Sequence, residues 1–274
     1  MIRIHRRDSG ALLHEVDGST LVGARLAHAV LLYAHLPGAD LSGADLRWAD
    51  LCSANLTGAH LDGADLRGAD LSAANLEGAT LTRARLTDAR LLGVDFSGAN
   101  LADADLTRAS FKLAHAGPPG ANFRNARLGR AGLDHTSFPD SDFSGADLTE
   151  ADLEAANFAG SDLTGVAFVR ARLERTNLSG ARLLHADLSH ALLHRTDLSD
   201  ALLEDATFGG TVIADCPALA GAKGLDLTSH LAPSSIDLST LSAILGKLPP
   251  EFVDGLGVTP LLVGRSGVGV SGER

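Results

Sequence analysis

Large apolar residues fall at every fifth position over most of this chain. Leu or Phe occupies that place from Leu21 through Leu41, Leu61 and Leu81 to Phe111, nineteen positions without a miss. A second run of nineteen extends from Phe123 through Phe143, Leu163, Leu183 and Leu203 to Ile213, where only Ile213 departs from Leu or Phe. Two residues before each, the side chain is nearly always Ala, as at Ala24, Ala44 and Ala146. A period of five suits neither common element. On a helix, five steps turn about 500° and scatter the leucines around the cylinder. On a strand, each five-residue step flips the leucine to the opposite face. The pattern works only if the backbone turns once per five residues, so that every leucine points at one shared axis. Two positions in five then face inward, one large and one small.

With "GADLSGADLRWADLCSANL" at residues 38 to 56, the sequence resembles the pentapeptide-repeat family, whose consensus is A(D/N)LXX. The match covers residues 19 to about 213. The resemblance implies an all-β chain wound as a right-handed quadrilateral β-helix with four pentapeptides per coil. About ten coils at the spacing of paired strands give a rod roughly 45–50 Å long. Each coil supports only its neighbours, so both ends need caps.

Residues 1 to 18 lie outside the register. Ile2 and Ile4 alternate with Arg3 and His5, and "RRDSG" and "ALLHEV" follow, which predicts a β-hairpin cap. Between the two runs, Phe111 and Phe123 stand twelve residues apart rather than ten, so one slot is lost and two residues are gained within 112 to 122. Gly117-Pro118-Pro119-Gly120 reads as a bulging corner, with a recognition loop on a rigid rod as the alternative. Residues 217 to 274 predict a C-terminal cap with short helices and a flexible tail. Leu238, Leu241, Ile244, Leu245 and Leu248 make one apolar helix face, with Asp237 before it and Pro249-Pro250 after it. This face would seal the last coil or form a homodimer. Residues Gly224 to Val258 also resemble the connector that follows pentapeptide arrays in some bacterial proteins ending in a TIR domain. Sixteen residues follow, so no TIR domain is expected, and signalling or NAD-cleaving activity is not carried over.

The formal net charge of −11 argues against a basic stripe for direct nucleic-acid binding. No stretch approaches 18 consecutive apolar residues, and the N-terminus lacks an apolar signal region, so no membrane association and a cytoplasmic location are expected. Cys52 and Cys216 fall near opposite ends of the array and cannot pair within one chain.

Asp recurs before the core residue, and Asp45, Asp65 and Asp105 stack on one face while Asp50 and Asp70 stack on the next. These rows could serve acid–base work or calcium, but Arg47 and Arg67 flank them, and a solvated corner is the expected role. His185, His190 and His194 leave successive sides of a square coil, so no zinc site is expected, and His185 should stack over Asp205 instead. "GVGVSG" at 267 to 272 lacks the strand–helix context of a dinucleotide fingerprint. No nucleophile elbow or phosphate loop is present. The expectation is a chain without cofactor, metal or catalysis: a scaffold for a protein partner. The alternative, implied by family members that protect DNA gyrase or topoisomerase IV from inhibitors, is a DNA mimic that binds a type II topoisomerase. Duplex DNA carries a charge about every 1.7 Å. Here thirteen Asp before core residues are interrupted by six Arg: Arg25, Arg85, Arg90, Arg127, Arg172 and Arg182.

Overall fold

Each five-residue unit closes a tight turn, and that turn sets the architecture. Ala24 donates its N–H to the Leu21 carbonyl at 3.0 Å, and Gly23 between them has φ +64°. Positive φ at the third residue of a four-residue turn defines type II. The same geometry recurs around the chain, at Gly where it is strain-free and also at His28, Tyr33, Trp48 and Ser53. One extended residue per side remains between turns. It pairs in parallel with the residue twenty positions on, as Arg25 with Asp45, Asp45 with Asp65, and Asp50 with Asp70. The result is a solenoid β-helix with four pentapeptides to each coil. Its ladder consists mostly of isolated bridges, because turns this frequent leave no room for long strands.

The computed structural model describes residues 1–244 and 246–257. Strands β1 (Ile2–His5) and β2 (Leu12–Val16) form an antiparallel hairpin. It joins the first coil through His35 N–H to the His5 carbonyl (2.9 Å) and Arg7 N–H to the Tyr33 carbonyl (2.8 Å), and Ile4 is buried. Late in the array come β3 (Leu192–His194), β4 (Thr207–Phe208) and β5 (Val212–Ala214). Two 3-10 turns follow, at Pro217–Gly221 and Leu225–Leu227. Strand β6 (Ser229–His230) pairs with β4, and β7 (Ser235–Ile236) pairs with β5, both in parallel. Helices α1 (Leu238–Ile244) and α2 (Pro250–Gly255) complete the described chain.

The Leu and Phe of both runs are buried, with the Ala positions beside them. Polar exceptions in the small column are satisfied. Thr176 donates to the Leu153 carbonyl at 2.8 Å, Thr196 to Leu173 at 2.6 Å and Thr211 to Leu188 at 2.8 Å. A buried hydroxyl without a partner would cost 1–3 kcal/mol, roughly.

Across residues 112 to 122 the pairing step changes from twenty to twenty-two, as Asn100 pairs with Asn122, and returns to twenty at Asn122 with Asp142. The slot that the sequence reading counted as lost is occupied: Ala116 points inward and is buried, and His115 pairs with Ser137. The extra length lies entirely in the corner that follows. Six phenylalanines surround the space a larger residue would fill. Phe96, Phe111, Phe123 and Phe138 touch pairwise at 5.3–6.3 Å between ring centroids, and Phe143 stacks on Phe123 at 4.5 Å with Phe158 beyond it.

Candidate interaction face

Asp45, Asp65 and Asp105 share one column, which runs Arg25, Asp45, Asp65, Arg85, Asp105, Arg127. Asp50 and Asp70 share the next, between Val30 and Arg90. The structure thus brings together the carboxylates the sequence grouped, and it also occupies them. Asp50 accepts the N–H of Cys52 at 3.0 Å, Asp70 that of Ser72 at 3.0 Å, and Asp105 that of Thr107 at 3.1 Å. Asn55 accepts in the same way from the Thr57 N–H, and Asn157 from that of Ala159. A short side chain that accepts from its own backbone two residues on stabilises the turn, which is the physical reason Asp and Asn dominate this position.

Arginine neutralises much of what remains. Arg47 donates Nε and Nη2 to Asp45 at 2.8 and 2.7 Å, and Arg67 does the same to Asp65 at 2.8 and 2.6 Å. Asp65 also lies 3.9 Å from Arg47 and 3.7 Å from Arg85. The Arg47 hydrogen bonds hold the Asp45 carboxyl down at about 2, and those of Arg67 lower Asp65 in the same way. At Asp70 and Asp105, burial pushes the carboxyl up but is outweighed by the bonds from Ser72 and Thr107, so both end below the usual range. Cys52 sits between Asp50 and Asp70, and burial followed by these two carboxylates pushes its thiol up to about 12, far from a reactive thiolate.

The corner at Gly117-Pro118-Pro119-Gly120 is tied down on both sides rather than projecting. Gly117 N–H donates to Ser97 Oγ at 2.8 Å, and the Pro119 carbonyl accepts from Gly98 at 2.9 Å. A Cβ on Gly120 would fall 2.5 Å from the Asp140 carbonyl oxygen, so the corner lies directly against the next coil. In the C-terminal segment, Asp237 caps α1 by accepting from Thr240 N–H at 3.2 Å. Leu241 and Ile244 are buried, whereas Leu238 is 83% exposed, and Leu245 lies outside the described residues. The apolar face of α1 is therefore turned largely onto the rod. Leu248 after it is buried too, and Phe252 of α2 packs against Phe208 and His230 at 5.3 and 5.1 Å.

His185 stacks over Asp205 at 3.6 Å, both exposed. Among the described residues no group of His, Cys, Asp and Glu is arranged to hold a metal, and no helix is long and apolar enough to cross a membrane. The 267 to 272 motif lies outside the described residues.

The model of pentapeptide repeats matches this chain with eight copies between residues 19 and 210. The chain belongs to the pentapeptide-repeat family. Among solved structures of the family, it is 32% identical to HetL, a protein involved in heterocyst differentiation regulation from the cyanobacterium Nostoc sp. strain PCC 7120. That likeness has a TM-score of 0.60 and covers 77% of this chain and 89% of HetL. A trypsin-treated variant of QnrB1, a plasmid-mediated fluoroquinolone resistance protein, is 20% identical with a TM-score of 0.58, covering 80% of this chain and 99% of that one. No curated protein matches the chain.

One feature of this pentapeptide-repeat chain escaped the sequence reading. Trp48 lies in a corner column that continues through Gly68, Asp88 and Arg108, and its side chain is 60% exposed. The signal was present in "RWAD": a single large aromatic at a turn position where the neighbouring repeats place Gly or Ser.

Proposed function

We propose that the chain is a non-enzymatic cytoplasmic scaffold, a right-handed rod of about ten coils whose faces hold a protein partner. One observation carries this reading. The outward carboxylates are fixed by turn hydrogen bonds and by arginines, as Asp65 is by Arg67 and its neighbours. Such a surface offers a rigid pattern of shape and charge rather than a group free to react. Cross-linking of the tagged protein in its native cell, followed by mapping of the attached residues, tests the proposal. Attachments clustered on one face support it, and a turnover activity dependent on Asp65 or Asp105 would overturn it.

Topoisomerase protection is the second reading. It draws on the side running from His35–Gly38 through Asn75–Gly78 to Asp197–Asp200, which carries no Lys or Arg. Its carboxylates are only Glu77, Asp95, Asp140, Asp197 and Asp200. A duplex of similar length would carry close to thirty charges by the usual density of about one per 1.7 Å. Weak or absent effect on gyrase supercoiling is the expected outcome. Rescue of gyrase from a fluoroquinolone by this protein would reverse the order of the two readings.

A further inference from the structure

The two ends of the rod differ in how their ladders stop. At the C-terminal end, short extended segments from outside the repeat complete the last coil. Lys223 pairs in parallel with Leu202, β6 with β4 and β7 with β5. Main-chain groups make the bonds: Ser229 N–H donates to the Ala206 carbonyl at 2.9 Å, and Ser235 N–H to that of Thr211 at 2.9 Å. At the N-terminal end one side is finished in this way, where Arg6 pairs with Ala34.

The other three sides of the first coil end on Arg25, Val30 and Asp40. One coil further on, Asp45 N–H donates to the Ala24 carbonyl at 2.9 Å, and the Asp45 carbonyl accepts from Leu26 at 2.7 Å. Among the described residues nothing bonds the corresponding N–H and C=O of Arg25, Val30 or Asp40, so each side leaves a donor and an acceptor at the open end. The hairpin packs Ile2, Leu13 and Val16 on the core without pairing with these three residues. Residues 14–18 instead form the far wall of a cleft of about 530 Å³ beside Val22, Ala24 and Arg25. Val22 and Val30 are 47% and 63% exposed along this edge.

We infer that the first coil docks an extended segment of a partner protein along Arg25 and Val30, main chain to main chain, as an added strand. A donor and an acceptor from the same residue are matched by an extended backbone, which offers both. A phosphate chain offers acceptors alone and would leave the carbonyls unmet. Strands β6 and β7 show that the rod takes such segments without repeat sequence, and Val22 and Val30 give β-branched side chains apolar contact. A second copy fits less well, because two such ends would meet hairpin to hairpin before their edges. The inference rests on the scaffold reading and names the form of its partner.

The probe is a synthetic peptide of alternating Thr and Val with Lys at both ends, titrated into the full chain while amide exchange is followed by NMR. In the free protein the Arg25 and Val30 amides should exchange rapidly, whereas those of Asp45 and Asp50, which donate to Ala24 and Ala29, are protected. With peptide at about ten times its Kd, protection of Arg25 and Val30 should rise about tenfold. The same peptide N-methylated at alternate residues should give none. Arg25→Pro removes an N–H that no described group uses, so it should keep the melting temperature while weakening binding about tenfold or more. Arg25→Ala keeps the N–H and should bind as the parent does. No protection below about 1 mM peptide, equal binding of the methylated peptide, affinity unchanged by Arg25→Pro, or equal loss in both Arg25 variants would each overturn the inference. So would protection that grows with protein concentration alone, alongside a doubled mass in light scattering, which would make a second copy the occupant. A cellular partner cross-linked to a lateral face, with the Arg25 amide still exchanging freely, would sink this docking edge and leave the scaffold reading standing.

Discussion

Phe96 and Phe138 stand two coils apart on the same side of the rod, yet their ring centroids are only 6.1 Å apart. Two coils at the spacing of paired strands would separate them by about 9.6 Å. The rings converge because Ala116 occupies the core position between them, and four further phenylalanines pack around the gap. Replacing Ala116 with Phe should overpack this cluster and cost about 1–3 kcal/mol. Phe138→Ala should cost about 3–5 kcal/mol by opening a cavity. Urea denaturation of both variants checks the pair. A stabilised Ala116→Phe protein would mean that the space is empty rather than filled by the rings.

Leu66 is fully buried in mid-rod, with a coil on either side. Lysine there would bring an ammonium among Leu and Ala with no carboxylate in reach. Loss of about 3–5 kcal/mol is expected. A thermal melt that matches the parent would show that position 66 does not face inward.

The buried hydroxyl of Thr176 has a single purpose, its 2.8 Å bond to the Leu153 carbonyl. Thr176→Val keeps the shape and removes the donor. A cost of about 1 kcal/mol is expected from the lost bond, whereas Thr176→Ser keeps the donor and loses only the packing of its methyl group. Chemical denaturation of the two substitutions side by side separates bonding from packing.

His230 is stacked on Phe208 at 5.5 Å and faces Phe252, and a Cβ on Gly255 would fall 2.2 Å from its ring. Burial lowers its pKa below the ordinary 6.5, so the folded protein keeps the ring neutral. The unfolded chain then binds more protons just below pH 6.5, and stability contributed by this group falls as pH drops through that window. The C-terminal segment should melt earlier at about pH 5.5 than at about pH 7.5, and His230→Leu should flatten the difference. Hydrogen exchange of α2 measured at both pH values gives the readout, and equal protection in the parent protein would refute the assignment.

The turning of the chain was legible because its period is arithmetic. Leu21 to Phe111 and Phe123 to Ile213 could face one axis only if the backbone turned every five residues, and steps of twenty then put Asp45 over Asp65. What arithmetic could not show was the slot at Ala116, because alanine there looks the same as alanine in the small column. The compensating signal was the local excess of phenylalanine on both sides of Gly117–Gly120. The arginine pairing was visible as well, since Arg47 and Arg67 follow their aspartates by two residues and the step of twenty places Arg85 over Asp65. Spacing also identified the apolar residues of α1 without revealing that Leu238 stays in solvent while Leu241 and Ile244 turn inward. Helix periodicity fixes which residues share a side, and the position of the last coil decides how much of that side is covered.

The corner at residues 117–120 absorbs two extra residues, and every column resumes beyond it, with Asn122 over Asn100 and Asp142 over Asn122. Coil and corner are therefore separable: length is set by the number of twenty-residue turns, and local irregularity is confined to one edge. The protein behaves as a ruler graduated in steps of about 4.8 Å. Removing one whole turn would bring the groups at its two ends closer by one graduation while keeping them on the same side. Evolution can thus change the distance between two docking points without changing the direction in which either one faces.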